Sequence, residues 1–281
     1  MDRNRWHDRY DAPDSPLARR LATVRERVRL ALDDSPPGPL GVVSLCAGQE
    51  RDLLDVPPGH PRREDVRARL VELDPHNVDA AREAVRSAGL AQVEVVAADA
   101  SLLDHYAGMA PADIVLLCGV FGNITDRDIE RTVDACTQLC ATGGRVIWTR
   151  NRKSPDRVPL ICRWVEERGF EREWVTDEQQ FRSVGVHRFR GRSRPLRPGE
   201  RVFTFLGYDR LRSATRARDR RPGRPARPTL SDRPVGSVEL AGSMRPGVGS
   251  VGFVSAVGPV GVVSAASRSP CAPRAGAPLR R

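Results

Sequence analysis

Lysine is nearly missing: of 46 basic residues only Lys153 is a lysine and the rest are arginine. With abundant Ala, Gly, Pro and Val, this reflects a GC-rich coding sequence more than a specialised binding surface. No Cys-x-x-Cys pair occurs among Cys46, Cys118, Cys136, Cys140, Cys162 and Cys271, so reduced structural thiols are expected rather than a paired-cysteine site. The first strand–helix loop, whose only glycine is Gly48, is no Gly-x-Gly-x-x-Gly either, which argues against a dinucleotide pyrophosphate loop there. The start, Met1-Asp2-Arg3-Asn4-Arg5-Trp6, has no apolar stretch resembling a secretory signal. Residues 246–267 lack charge, but Pro246, Gly247, Gly249, Gly252, Gly258, Pro259 and Gly261 make them a poor membrane helix. The expectation is a cytoplasmic protein without a membrane partner.

Charge imbalance is also missing from most of the chain. Residues 1–210 hold 33 basic and 33 acidic side chains, so the whole net charge of +10 belongs to residues 211–281. Those last 71 residues contain 9 Gly, 9 Pro and a single aromatic, Phe253. Such a composition buries too little apolar area to offset chain ordering, so 212–281 reads as a disordered basic tail. Nucleic acid would be held only through that tail, by charge alone.

What is present is alternation. Leu17, Leu21, Val24, Val28 and Leu32 recur at helical spacing after Ser15 and Pro16, so 1–38 reads as an N-terminal helical segment closed by Pro36-Pro37-Gly38. From there to residue 211 short apolar runs alternate with helical patterns. Strands are expected at 41–46, 67–73, 93–97, 113–117 and 145–149, and helices at 49–54, 75–88, 101–106, 125–139 and 155–168. Repetition of this kind implies an α/β domain over 39–211, with a mostly parallel, doubly wound sheet. Residues 170–175 and 201–208 are strand-like and lack a long helix between them, which pairs them antiparallel.

The carboxyl ends of these strands carry the chemistry. Val42-Val43-Ser44-Leu45-Cys46 runs into Ala47-Gly48-Gln49-Glu50, a turn at the position where doubly wound sheets bind nucleotide-like ligands. The second strand ends Val71-Glu72-Leu73-Asp74-Pro75 and the third Ala97-Ala98-Asp99-Ala100. A carboxylate at Glu72 can accept both hydroxyl hydrogens of a ribose. Asp99 can accept from an adenine amino group while the Ala100 amide donates to the ring.

These residues resemble the class I S-adenosylmethionine-dependent methyltransferases over residues 40–210. The likeness rests on Val43–Gly48, Glu72, Ala98-Asp99-Ala100, Gly143-Gly144-Arg145-Val146 and the closing antiparallel pair. It implies a seven-stranded sheet in the order 3-2-1-4-5-7-6 with the last strand antiparallel, and S-adenosyl-L-methionine as cofactor. It further implies a cofactor site built from Cys46, Ala47, Gly48, Glu72, Leu73, Asp99, Ala100, Cys118 and Gly119, and a small-molecule methyl acceptor. The family pattern has Gly-x-Gly-x-Gly in the first loop. Here Ala47 or Cys46, and Glu50, stand where further glycines belong; Glu50 either crowds the methionine end of the cofactor or balances its positive charge.

Plainer readings stand beside these. Asp74 reads as a helix N-cap before Pro75, and Asp99 reads both as ligand and as cap of the following helix. Phe121 either covers the cofactor or packs in the core. Cys118 has no base tied to it and is not expected to be a nucleophile. His187, placed between the last two strands, is the candidate general base, against a structural histidine. Cys136 and Cys140 share a helix face without histidine partners and read as core, with no metal expected. Trp6, His7 and Tyr10 form a candidate lid. Two rivals to methyl transfer remain: a degenerate fold that binds without turnover, and a nicotinamide-dependent oxidoreductase.

Overall fold

Seven strands, the first four rich in β-branched and aliphatic residues, build one sheet, and their connections decide which edge carries ligands. The computed structural model describes residues 15–208, 210 and 211. All of these belong to one unit within Met1–Arg224; the expected tail, 212–281, and the candidate lid at Trp6, His7 and Tyr10 lie outside the described residues. The strands are β1 (Leu40–Leu45), β2 (Val66–Glu72), β3 (Val93–Ala97), β4 (Ala112–Leu117), β5 (Cys140–Asn151), β6 (Phe170–Val175) and β7 (Arg182–Phe189). Their order is β3-β2-β1-β4-β5-β7-β6. Neighbours from β3 through β5 pair in parallel, whereas β7 runs antiparallel to both β5 and β6.

Helices cover both faces. On one face α1 (Pro16–Asp33) packs Val24, Val28, Ala31 and Leu32 against Val42, Ile114, Ile147 and Val186, and α2 (Pro75–Ser87) lies beside it over β2 and β3. On the other, α3 (Asp126–Leu139) and α4 (Val158–Glu166) bury Ile129, Val133, Ile161 and Val165 against Val115, Val146 and Trp148. The start signals act as the sequence implies. Ser15 accepts from the Ala18 amide at 3.0 Å, Asp74 from His76 at 3.0 Å and Thr125 from Asp128 at 3.1 Å. Asp74 is therefore a helix cap. Among the described residues no helix is long and apolar enough to cross a membrane.

Two expected elements differ. No helix forms at 49–54: the Leu54 amide reaches the Glu50 carbonyl at 3.0 Å, but the turn does not propagate. Glu50 takes φ = 50°, and Pro57-Pro58 soon follows, so neither end can extend a right-handed helix. The β1–β2 connection is instead tied to α1. Arg62 donates to the carbonyls of Leu32, Ser35, Pro36 and Gly38 at 2.8–3.3 Å, satisfying the end of that helix and the chain after it. His60 lies 3.0 Å from Asp33.

The last strand is Arg182–Phe189, and the segment 201–208 makes only one isolated bridge, Leu102 with Arg201. Val202 and Phe203 are both buried and Thr204 and Phe205 both exposed, so the segment lacks the alternation a paired strand requires. Arg182–Phe189 can lie against β5 because Gly185 faces Trp148. A Cβ there would meet the indole at 2.3 Å. Smaller differences are the short 3-10 helix Leu103–Tyr106 in place of a helix over 101–106, and a β5 that begins at Cys140.

Candidate active site at the carboxyl edge of the sheet

The order of strands reverses at β1 and β4, and the loops that leave β1, β2, β3, β4 and β5 meet at their carboxyl ends. In open α/β sheets this edge is where ligands bind. The loop after β1 makes three left-handed steps at alternate residues: Cys46 at φ = 53°, Gly48 at 59° and Glu50 at 50°. Cys46, rather than Ala47, therefore takes the first glycine-like conformation. A non-glycine residue there costs about 1–3 kcal/mol, so the surrounding structure holds the loop in this shape.

Part of that hold comes from Glu72. Its Oε2 accepts from the Gly48 amide at 2.8 Å and its Oε1 from the Asp74 amide at 2.8 Å. The backbone adds Ala47 N–H to Val71 O at 3.1 Å and Ala98 N–H to Glu72 O at 2.9 Å. The loops after β1, β2 and β3 are thus joined. Each Glu72 oxygen keeps a second acceptor direction, and the adjacent Leu73 side chain is 66% exposed.

Glu50 turns away beneath the loop. Ser44 Oγ donates to its Oε2 at 2.7 Å, and the side chain is buried with Oε1 lacking a partner. Burial, with Asp52 and then Glu72 nearby, raises its pKa well above the carboxylate range. Asp52 in turn sits 3.7 Å from Arg20 of α1. Burial also raises the Cys118 pKa well above the usual thiol value, so that group stays protonated and unsuited to nucleophilic attack.

Asp99 Oδ1 accepts from the Ser101 amide at 3.0 Å and Oδ2 from Arg201 at 2.5 Å. Burial pushes its pKa up, and the bonds from Ser101 and Arg201 outweigh this to leave it below the ordinary value. Ala100 is buried and its carbonyl receives the Tyr106 hydroxyl at 2.9 Å. Gly119, at φ = 82°, donates to Thr149 Oγ1 at 2.8 Å, while its carbonyl accepts from Asn123 at 2.6 Å. Cys46, Ala47, Gly48, Glu72, Leu73, Asp99, Ala100, Cys118 and Gly119 therefore lie at or next to the carboxyl ends of β1 to β4.

Other candidates stand elsewhere. His187 is fully buried in β7 opposite Val146, toward the strand end remote from this edge. Trp148 Nε1 donates to its Nδ1 at 3.2 Å, and burial, followed by the charge of Arg172, lowers its pKa to about 4. That position does not reach a substrate, and the structural reading of His187 fits it. Phe121 is fully buried with its ring 6.0 Å from Trp148, a core residue. Cys136 and Cys140 do not share a helix face, because the helix ends at Leu139 and Cys140 opens β5, but both lie in the same apolar cluster, and among the described residues no group of three potential metal ligands occurs.

Several residues at the edge escaped the sequence reading. Arg201 reaches Asp99 from about a hundred positions away, beyond any local pattern. Asn123 O receives the amides of Leu206 and Gly207 at 2.9 and 3.1 Å, so the 200–208 segment borders the edge from the β3 loop to the β4 loop. Arg150 and Lys153 follow the expected fifth strand directly, a placement that could have marked them.

The carbon methyltransferase CurJ superposes with a TM-score of 0.51 at 13% identity, over 61% of this chain and 54% of that one. Together with the strand order, this decides the architecture. The chain has the class I methyltransferase fold. An O-methyltransferase family protein from Burkholderia thailandensis has 18% identity and a TM-score of 0.47, over 62% of this chain and 59% of that one. The magnesium protoporphyrin IX methyltransferase of Synechocystis PCC 6803, solved with bound S-adenosylmethionine, has 14% identity and a TM-score of 0.48, over 60% and 79%. This chain spans less than two thirds of the length of the first two. No protein-family model matches the chain, and no curated protein matches it. In this methyltransferase fold the β1 loop, Glu72 and Asp99 occupy the switch-point edge, and β7 supplies the antiparallel strand.

Proposed function

We propose that the protein transfers a methyl group from S-adenosylmethionine to a small-molecule acceptor. The observation that carries this reading is the β1 loop, stepped through three left-handed residues and bonded at Gly48 to the Glu72 carboxylate. The residues fit the cofactor. Glu72 offers free acceptor directions for ribose hydroxyls, Leu73 offers exposed apolar surface beside it, and Glu50, tucked beneath the loop against Ser44, leaves the mouth clear. Asp99 can receive an adenine amino group once Arg201 yields one carboxylate oxygen.

The bound cofactor supplies an already activated methyl group. The protein then has to align acceptor and donor and exclude water, and orientation alone is worth several kcal/mol of barrier. Gly119, held by Thr149 and Asn123, would fix the β4 loop beside the reacting centre. No buried base is required by this chemistry, consistent with His187 lying away from the edge.

Calorimetric titration of the full chain with S-adenosylmethionine and S-adenosylhomocysteine, with NADH as control, tests the reading. Saturable binding of both sulfur ligands supports it; binding of NADH alone, or of none in a cooperatively melting protein, overturns it. A second reading, ligand binding without turnover, is favoured by one feature: Arg201 already occupies Asp99. Cofactor binding without methyl release to any acceptor in a chemically broad panel would select it.

A further inference from the structure

The geometry points to an acceptor that carries a carboxylate or phosphate group, received by Arg150 and Lys153 at the carboxyl end of β5. This inference rests on the methyltransferase reading for the role of the ligand, and on separate observations for its charge. Arg150 leaves β5 half-buried, with Nη1 donating to the Phe121 carbonyl at 2.8 Å and Nε buried without a hydrogen-bond partner. Its neighbouring carboxylates are already taken: Asp126 pairs with Arg157 at 2.8 Å and Asp156 with Arg152 at 2.7 Å. Among the described residues neither Arg150 nor Lys153 forms an ion pair with a carboxylate.

Lys153 lies 5.0 Å above the Tyr208 ring and donates to its hydroxyl, which holds a cation over the same edge without neutralising it. Burial pulls the Arg150 guanidinium below its usual pKa, the cost of desolvating a charge that has no ion pair among the described residues. A carboxylate or phosphate oxyanion would accept from the guanidinium's remaining N–H donors. Exposed apolar residues lie on the segments that meet this edge: Phe181, 50% exposed, gives its carbonyl to the Arg152 amide at 2.7 Å, and Phe205, 41% exposed, precedes Leu206, whose amide donates to Asn123.

The probes that test this are benzoate, phenyl phosphate and the neutral benzamide, titrated into the full chain with and without S-adenosylhomocysteine. One or both anions should bind about tenfold tighter than benzamide, and Arg150→Gln should remove that preference while leaving S-adenosylhomocysteine affinity unchanged. The stronger arm identifies carboxylate or phosphate as the preferred group. Equal binding of benzamide, no binding of either anion, or an unchanged preference in Arg150→Gln overturns the inference. Should Arg150→Gln fail to melt cooperatively, exposed Lys153→Gln takes its place, with a severalfold loss of anion affinity expected and no change overturning the inference. Failure of the methyltransferase reading is read separately, as absent S-adenosylhomocysteine binding alongside intact anion preference.

Discussion

At the scale of single residues, Glu72 shows how one carboxylate can tie together the loops at the carboxyl edge of the sheet. It joins the Gly48 and Asp74 amides at 2.8 Å each, so its removal frees both the β1 loop and the start of α2. Glu72→Ala is expected to weaken S-adenosylhomocysteine binding by about 1–3 kcal/mol, the cost of losing charge-assisted hydrogen bonds. An unchanged dissociation constant in the folded variant would place Glu72 outside the site. His187 gives the opposite lesson. A histidine held at about 4 against a usual 6.5 is neutral in the fold and charged in the unfolded chain at mildly acid pH. Its contribution is therefore complete above about pH 6.5 and is lost as pH falls toward 4, by about 3 kcal/mol in all. Urea unfolding at pH 7 and pH 4.5 should show a smaller acid loss in His187→Gln than in the parent chain; equal losses would refute the assignment.

Among the elements, β7 is the strand whose placement the sequence hid. Residues 201–208, with Val202, Phe203, Phe205 and Leu206, are the more apolar run, whereas Arg182, Ser183, His187 and Arg188 interrupt 182–189, so local pattern favours the segment that does not pair. The choice falls to a tertiary contact, Gly185 under the Trp148 indole. Gly185→Ala should lower stability by about 2 kcal/mol or more through overpacking, with the loss visible as a lower denaturant midpoint. A neutral effect would mean that β7 can draw away from β5 without cost. The β1–β2 connection was misjudged for a related reason. Leu53 and Leu54 are buried as a helix would bury them, yet Glu50 at positive φ and the following prolines cut the helix to one turn. Its order comes from contacts with α1 instead, through Arg62, His60 and Arg20.

For the whole molecule, the two apolar clusters draw on residues from Val24 to Phe203, inside the charge-balanced part of the chain. Removing 212–281 is expected to leave the thermal midpoint nearly unchanged while abolishing retention on a polyanion column, since the net charge of +10 leaves with those residues. A fall of more than about 5 °C would show that the tail adds to the core.

The sequence by itself determined the α/β class, the parallel core of the sheet and the helix starts at Ser15, Asp74 and Thr125. It also determined the positions of Glu72 and Asp99, because periodicity and capping act over a few residues and strand ends follow from them. Only the tertiary structure decided that Cys46 and Glu50 take glycine-like conformations, that Glu50 turns toward Ser44, and that Arg201 meets Asp99. It alone placed His187 in the core and, among the described residues, left Arg150 without a carboxylate partner. Each of these depends on groups distant along the chain being brought within hydrogen-bonding or packing distance, which no local pattern encodes.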